Sequence, residues 1–144
     1  MIRLQFPEAD FKTRSSEGAD FIFDPIRKAW IKLNPEEWVR QNLIAYLNRV
    51  VHIPFSLIAV EKRLKVGELY RRFDIVAFKD AKPWLLVECK AMDVPLTSAT
   101  ISQMLAYVSA LQCPYFIMSN GNVTHGWQVK QNQFFELAQF PVYK

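Results

Sequence analysis

The chain has 144 residues, 51% hydrophobic and 14% aromatic, enough apolar surface for one folded domain and too much for a disordered tail. Lys and Arg outnumber Asp and Glu by 18 to 14, a net charge of +4; this permits an anionic partner, nucleic acid above all, without establishing one. The start, MIRLQFPEAD, has no apolar signal core, and no apolar run nears the roughly 20 residues of a membrane span. Cys89 and Cys113 lie far apart in apolar contexts, so a reduced, cytoplasmic protein with no membrane partner is expected.

No repeat, low-complexity tract or linker divides the chain, so a single domain over residues 1–144 is expected. DFIFDPIRKAWIKL reads as two short strands around a turn at Asp24-Pro25, an N-terminal hairpin over about 20–33. Asn34-Pro35 then opens a helix, since Asn is a favoured cap and Pro a favoured first residue. Val39, Leu43, Tyr46, Leu47 and Val50 form its apolar stripe, and Pro54 is expected to end it. SLIAVEKRLKV and YRRFDIVAF read as strands joined by a tight turn at Gly67-Glu68. KDAKP is a five-residue loop leading to a third strand, WLLVECKA. A second helix over about 97–112 follows, with Ile101, Leu105, Val108 and Leu111 facing inward. PYFIMS is a buried strand, and GWQVK with QFFELAQF makes a terminal hairpin over about 123–144. The core, about 34–122, is therefore expected to be α/β: a mixed sheet flanked by helices, with a hairpin at each end.

In LLVECKAMDV, Glu88 and Lys90 interrupt an apolar strand. Strand side chains alternate, so the two share one face and Cys89 points to the other. Counted back from KDAKP, Phe78 pairs with Trp84, Val76 with Leu86, and Asp74 lands opposite Glu88. Opposed residues of an antiparallel pair have Cβ atoms roughly 5 Å apart. Two acids that close in an apolar setting repel each other and resist desolvation. One can stay protonated, a lysine can neutralise part of the charge, or a hard divalent cation can sit between the oxygens. Lys90 alone cannot balance two acids, which favours the cation. A buried salt bridge between Glu88 and Lys90 is the structural alternative.

Other candidates surround this pair. Glu37 holds the capping-box position after Asn34, a structural role, whereas Glu36 lies on the inward stripe and could complete a metal site. Its alternative is a favourable interaction with the helix dipole. With a two-residue turn at Gly67-Glu68, Glu61 faces Asp74, most simply as the partner of an arginine. Gln103 and Tyr107, four apart on the second helix, share a face and could touch phosphate or hold Lys90. Lys62, Arg63, Lys65, Arg71 and Arg72 crowd one hairpin; they are either a solvated face or phosphate contacts.

Asp74 followed by Glu88-Cys89-Lys90 on consecutive strands resembles the PD-(D/E)XK nuclease superfamily, with Phe73 in place of the literal proline. IFDPIRKAWIKLNPEEWVRQNLIAYL, RRFDIVAFKDAKPWLLVECKA and SQMLAYVSALQCPYFIMSNG are similar to small relatives of the N-terminal nuclease domain of type I restriction enzyme R subunits, over roughly residues 20–122. Gln103-x-x-x-Tyr107 matches the QxxxY helix motif of that group. The resemblance implies a restriction-endonuclease-like fold and hydrolysis of DNA phosphodiester bonds with Mg²⁺, or Mn²⁺ in its place. It implies Asp74, Glu88 and the Cys89 carbonyl as metal ligands, with Glu36 or Glu37 anchoring a second ion or a water. It gives Lys90, Gln103 and Tyr107 catalytic roles, and DNA, a second copy or restriction-system subunits as partners. The chain carries no G-x-x-x-x-G-K-[ST] segment, so no nucleotide cofactor and no translocase activity are expected of it. The alternative is a catalytically silent nucleic-acid-binding or assembly module that keeps the nuclease fold.

Overall fold

A computed structural model describes residues 1–144. Its first strands, β1 (Thr13–Ser16), β2 (Ala19–Asp24) and β3 (Ala29–Lys32), form a three-stranded antiparallel sheet. The turn at Asp24-Pro25 forms because Asp24 Oδ1 accepts from the backbone N–H groups of Ile26 and Arg27, at 2.7 and 2.9 Å. The hairpin expected here is present, but β1 extends it. That polar strand, TRSS, is fully exposed and carries no apolar alternation to betray it.

Helix α1 (Pro35–Arg49) starts where Asn34 accepts from the Glu37 N–H at 2.7 Å. Val39, Leu43 and Leu47 are buried as expected. Val50 is not on that stripe: it caps the helix and is exposed. The helix stops at Arg49, before Pro54, which opens a short 3₁₀ turn over Phe55–Leu57. Arg40, Gln41 and Asn42 are buried too: Gln41 reaches Asp24 of β2, and Arg40 reaches Glu61 of β4 and Asp74 of β5.

Strands β4 (Ile58–Val66), β5 (Leu69–Lys79) and β6 (Lys82–Cys89) make the meander. Helix α2 (Ser98–Ser109) crosses to β7 (Tyr115–Ser119), and β8 (Thr124–Lys130) and β9 (Gln133–Glu136) follow. The six strands lie in sequence order, and only β6 and β7 are parallel. A helical crossover is what a parallel pair requires.

One face of the sheet packs Ile75, Ala77, Leu85, Val87 and Ile117 against α1 residues Val39, Leu43 and Leu47. The other packs Val76, Leu86, Phe116 and Met118 against Met104 and Val108 of α2. Met104 and Val108 are the buried residues of α2, with Ile101, Leu105 and Leu111 flanking them, so the inward stripe is rotated from its expected centre. The architecture is α/β, a mixed sheet flanked by helices, consistent with a restriction-endonuclease-like fold.

The β5–β6 connection is shorter than expected. Asp80 and Ala81 form a two-residue turn with φ of +52° and +62°, and Lys79 pairs with Lys82. Phe78 faces Pro83 rather than Trp84, and a bulge between Ala77 and Phe78 takes up one residue. Beyond it Val76 faces Leu86 and Ile75 faces Val87, the register the longer loop would have produced.

Candidate active site

That register carries Asp74 and Glu88 to opposed positions, and there the two carboxylates cross over. Asp74 Oδ2 accepts from the Cys89 N–H at 2.7 Å, while Glu88 Oε1 accepts from the Asp74 N–H at 3.3 Å. Each acid thus satisfies a backbone donor on the other's strand. Glu88 is 7% exposed, and burial, reinforced by the charge of Asp74, pushes its carboxyl up to about 7. Arg71 and Lys90 pull it back only in part. The pair therefore repels itself near neutral pH, a condition a cation between the oxygens would relieve.

Lys90 lies just past the end of β6, which stops at Cys89 and does not continue to Ala91. Its N–H still donates to the Ser119 carbonyl at 2.9 Å; its charge is felt by Glu88, but the two do not form the salt bridge that was the structural alternative. The Cys89 thiol packs with the α1-side cluster, on the face away from Glu88. Burial raises its pKa well above the ordinary thiol value, so it is inert packing and not a nucleophile.

On the α1 side, the roles of the two helix glutamates are exchanged relative to expectation. Glu37 is buried, and its Oε2 accepts from Arg27 Nη2 at 2.8 Å and Gln41 Nε2 at 3.1 Å. Glu36 points outward, its carboxylate 3.9 Å from Arg40. The reason lies outside the helix: Arg27, from the turn after β2, reaches down to Glu37 and draws it in. Asp24 completes this brace. It is fully buried, and its Oδ2 accepts from Arg27 Nε at 2.6 Å and Gln41 Nε2 at 3.0 Å.

Arg40 was not singled out by its sequence context, yet it is central. The residue is 6% exposed. Its guanidinium lies 3.7 Å from Asp74, 3.4 Å from Glu61, 3.8 Å from Glu37 and 3.9 Å from Glu36. Its Nε and Nη1 nevertheless have no hydrogen-bond partner. The available signal was spacing, since Arg40 follows Glu36 and Glu37 by four and three residues on one helix. Glu61 is in register with Asp74, as the Gly67-Glu68 turn required, but the ladder skips that pair. Glu61 adopts φ of +52°, a left-handed backbone uncommon for a residue with a side chain, and turns to Arg40 and, at 3.9 Å, Arg27. A cleft of about 480 Å³ opens over this network, lined in part by Arg27, Glu36, Arg40, Glu61 and Ala91.

On the α2 side, Arg71 is the neighbour. Its guanidinium stacks 4.7 Å from the Tyr107 ring and 5.7 Å from the Phe73 ring, and its Nη2 lies 2.8 Å from Met104 Sδ. Its buried Nε has no partner. Tyr107 thus supports Arg71 and makes no hydrogen bond to Lys90, while Gln103 is exposed one turn earlier. Lys62, Lys65 and Arg72 are exposed on the β4–β5 hairpin, whereas Arg71 turns inward.

No three His, Cys, Asp or Glu side chains converge tightly enough to enclose a metal ion. Two carboxylates with hard oxygen donors, mutually repelling and backed by a strand end, suit an ion that keeps several of its waters, as Mg²⁺ does. The residues present fit such an ion with Asp74 and Glu88 as its protein anchors.

The family model of the type I restriction enzyme R protein N terminus matches residues 35–141, from the start of α1 to beyond β9. No curated protein matches the chain.

Proposed function

Since the chain belongs to the type I restriction enzyme R protein N-terminus family, we propose that it is a Mg²⁺-dependent endonuclease domain hydrolysing DNA phosphodiester bonds. The observation that carries this reading is the crossed Asp74–Glu88 pair with Lys90 at the same strand end. Asp74 and Glu88, with the Cys89 carbonyl, would hold the ion. Once bound, the ion would lower the pKa of a coordinated water and offset charge growing on the phosphate. Lys90 would position the attacking water and steady the developing negative charge. Arg71, whose charge acts on Glu88 and whose guanidinium is braced by Tyr107, would contribute positive charge toward the phosphate. Gln103 would orient the adjacent phosphate from the exposed face of α2. Glu36, exposed at the rim of the cleft 3.9 Å from Arg40, would hold a second ion or a water there. DNA and other restriction-system subunits are the partners this role implies.

Calorimetric titration with Mn²⁺ tests the site, and nicking of supercoiled DNA tests the activity. The parent should bind Mn²⁺ and nick, Asp74→Ala should lose both, and Lys90→Ala should bind but not nick. Nicking by Lys90→Ala at the parental rate would remove Lys90 from the chemistry.

A catalytically silent nucleic-acid-binding module is the second reading. It is favoured by Arg40, whose charge already stands 3.7 Å from Asp74, and by the lack of a third converging ligand. It predicts binding to DNA without Mn²⁺ heat or nicking.

A further inference from the structure

Two arginines reach the acids around the start of α1, and they are held differently. Arg27 donates to Asp24 Oδ2 at 2.6 Å and to Glu37 Oε2 at 2.8 Å. Arg40, the more deeply buried of the two, hydrogen-bonds to none of its acids. Its Nε and Nη1 have no partner, although Glu37 and Glu61 stand 3.8 and 3.4 Å away. Its Nη2 stops 3.7 Å from Asp74 and 3.9 Å from Glu36, beyond hydrogen-bond reach. Buried N–H groups are normally paired, because an unpaired one keeps its full desolvation cost. The Arg40 guanidinium is therefore held by charge rather than by directed bonds, and it can shift between acceptors.

Those acceptors are unequal. Glu37 Oε2 is already taken by Arg27 and Gln41. Asp74 gives Oδ2 to the Cys89 N–H and turns Oδ1 to Arg40. Glu61 stands across from Asp74, between the pairs Val60↔Ile75 and Lys62↔Phe73, and its φ of +52° takes it out of the ladder. Left-handed residues other than glycine persist where the surroundings hold them, and they gather at functional sites. The Glu61 side chain is 43% exposed and so free to adjust. Its Oε1 needs to close on Arg40 by only roughly half an ångström to make a charge-assisted hydrogen bond.

We propose that Arg40 is a transferable counter-ion of the carboxylate site: it balances Asp74 until a divalent cation is captured there, and then moves onto Glu61. Glu61 is thus a positioning residue that acts on the site through Arg40. The proposal rests on the ion-binding part of the nuclease reading and adds its regulation. Asp74 cannot serve a divalent cation and a guanidinium 3.7 Å away at full strength, since the two positive charges repel. Glu61 gives the arginine a second carboxylate within a short shift. Without it, capture of a cation at Asp74 leaves a buried arginine short of its partner.

Calorimetric titration of the full chain with Mn²⁺ tests this as a double-mutant cycle. Glu61→Gln should weaken Mn²⁺ binding about threefold or more, and Arg40→Gln should tighten it by a similar factor. In the Arg40→Gln background, Glu61→Gln should add almost nothing. A Glu61 that acted by its own charge, or as a ligand, would weaken binding equally in both backgrounds, and that result overturns the proposal. Nitrogen-15 NMR adds a readout that a merely structural Glu61 would not move. The Arg40 guanidinium signals, identified by their loss in Arg40→Lys, should exchange more slowly with water when Mg²⁺ saturates the parent, and should not slow in Glu61→Gln. Unchanged exchange in the parent overturns the transfer, and this comparison decides alone if Arg40→Gln does not fold. Mn²⁺ heat in Arg40→Gln but not in the parent also overturns it, since Arg40 then blocks Asp74 permanently. No heat in either removes the nuclease reading and the proposal together. Heat that Asp74→Ala loses, beside a Glu61→Gln that binds like the parent, removes the proposal alone.

Discussion

The two sides of Asp74 treat charge in opposite ways. Toward α1, Arg27 and Arg40 are hemmed in by Asp24, Glu36, Glu37, Glu61 and Asp74 at 2.6 to 3.9 Å. Toward the hairpin tip, Arg63, Lys65 and Arg72 share a face with no acid at all. The first set of charges locks the N-terminal sheet, α1 and β5 to one another. The second is left available to solvent or to a ligand. The charges used inside this fold come with acidic partners, whereas those toward the hairpin tip come with none.

Substitutions can break this contrast. The largest effect belongs to Arg40→Ala, which strands several acids around a buried void and should cost about 3–5 kcal/mol of stability, read from urea unfolding. A loss below about 1 kcal/mol would mean that the interior network is as dispensable as an exposed ion pair. Lys90→Ala, at a partly exposed position, should reduce nicking on the order of a hundredfold or more, with little change in the unfolding midpoint.

Glu88 gives a pH test of the metal-free protein. Its folded pKa, about 7, lies above the unfolded carboxylate value, so between the two the native state holds more protons than the unfolded one. Its favourable contribution is therefore complete below the unfolded pKa and is lost as pH rises toward 7. Glu88→Gln should remove this slope and raise stability at pH 8 by roughly 1–3 kcal/mol, while abolishing Mn²⁺ binding. Thermal melts at pH 5 and pH 8 measure it; an unchanged pH dependence would show that Glu88 is ionised throughout. The smallest effect is expected of Arg63→Ala, at an exposed position, within about 0.5 kcal/mol of the parent in the same unfolding measurement.

Every strand but β1, both helices and the Asp74–Glu88 opposition were legible because apolar alternation and cap residues act locally. The route between β5 and β6 was not. A two-residue Asp80–Ala81 turn and a bulge replaced the five-residue loop, and their offsets left the register at the acids unchanged. Nothing in KDAKP announces a left-handed alanine. The interior role of Arg40 and the exchange between Glu36 and Glu37 were hidden for another reason. Both depend on residues from separate elements, Arg27 after β2 and Glu61 on β4, and helical periodicity does not report what packs from outside. Similarly, β1 escaped notice because a polar, exposed strand owes its pairing to its neighbour rather than to its own side chains.

The crossed carboxylates have a consequence for how ion capture would register in the backbone. The amides of Asp74 and Cys89 donate to acid side chains. An ion that drew both acids toward itself would compete for those acceptors, leaving two neighbouring protons freer to trade with deuterium while the rest of the sheet stays protected. Binding would then announce itself as a local loosening at the very point where the site becomes occupied.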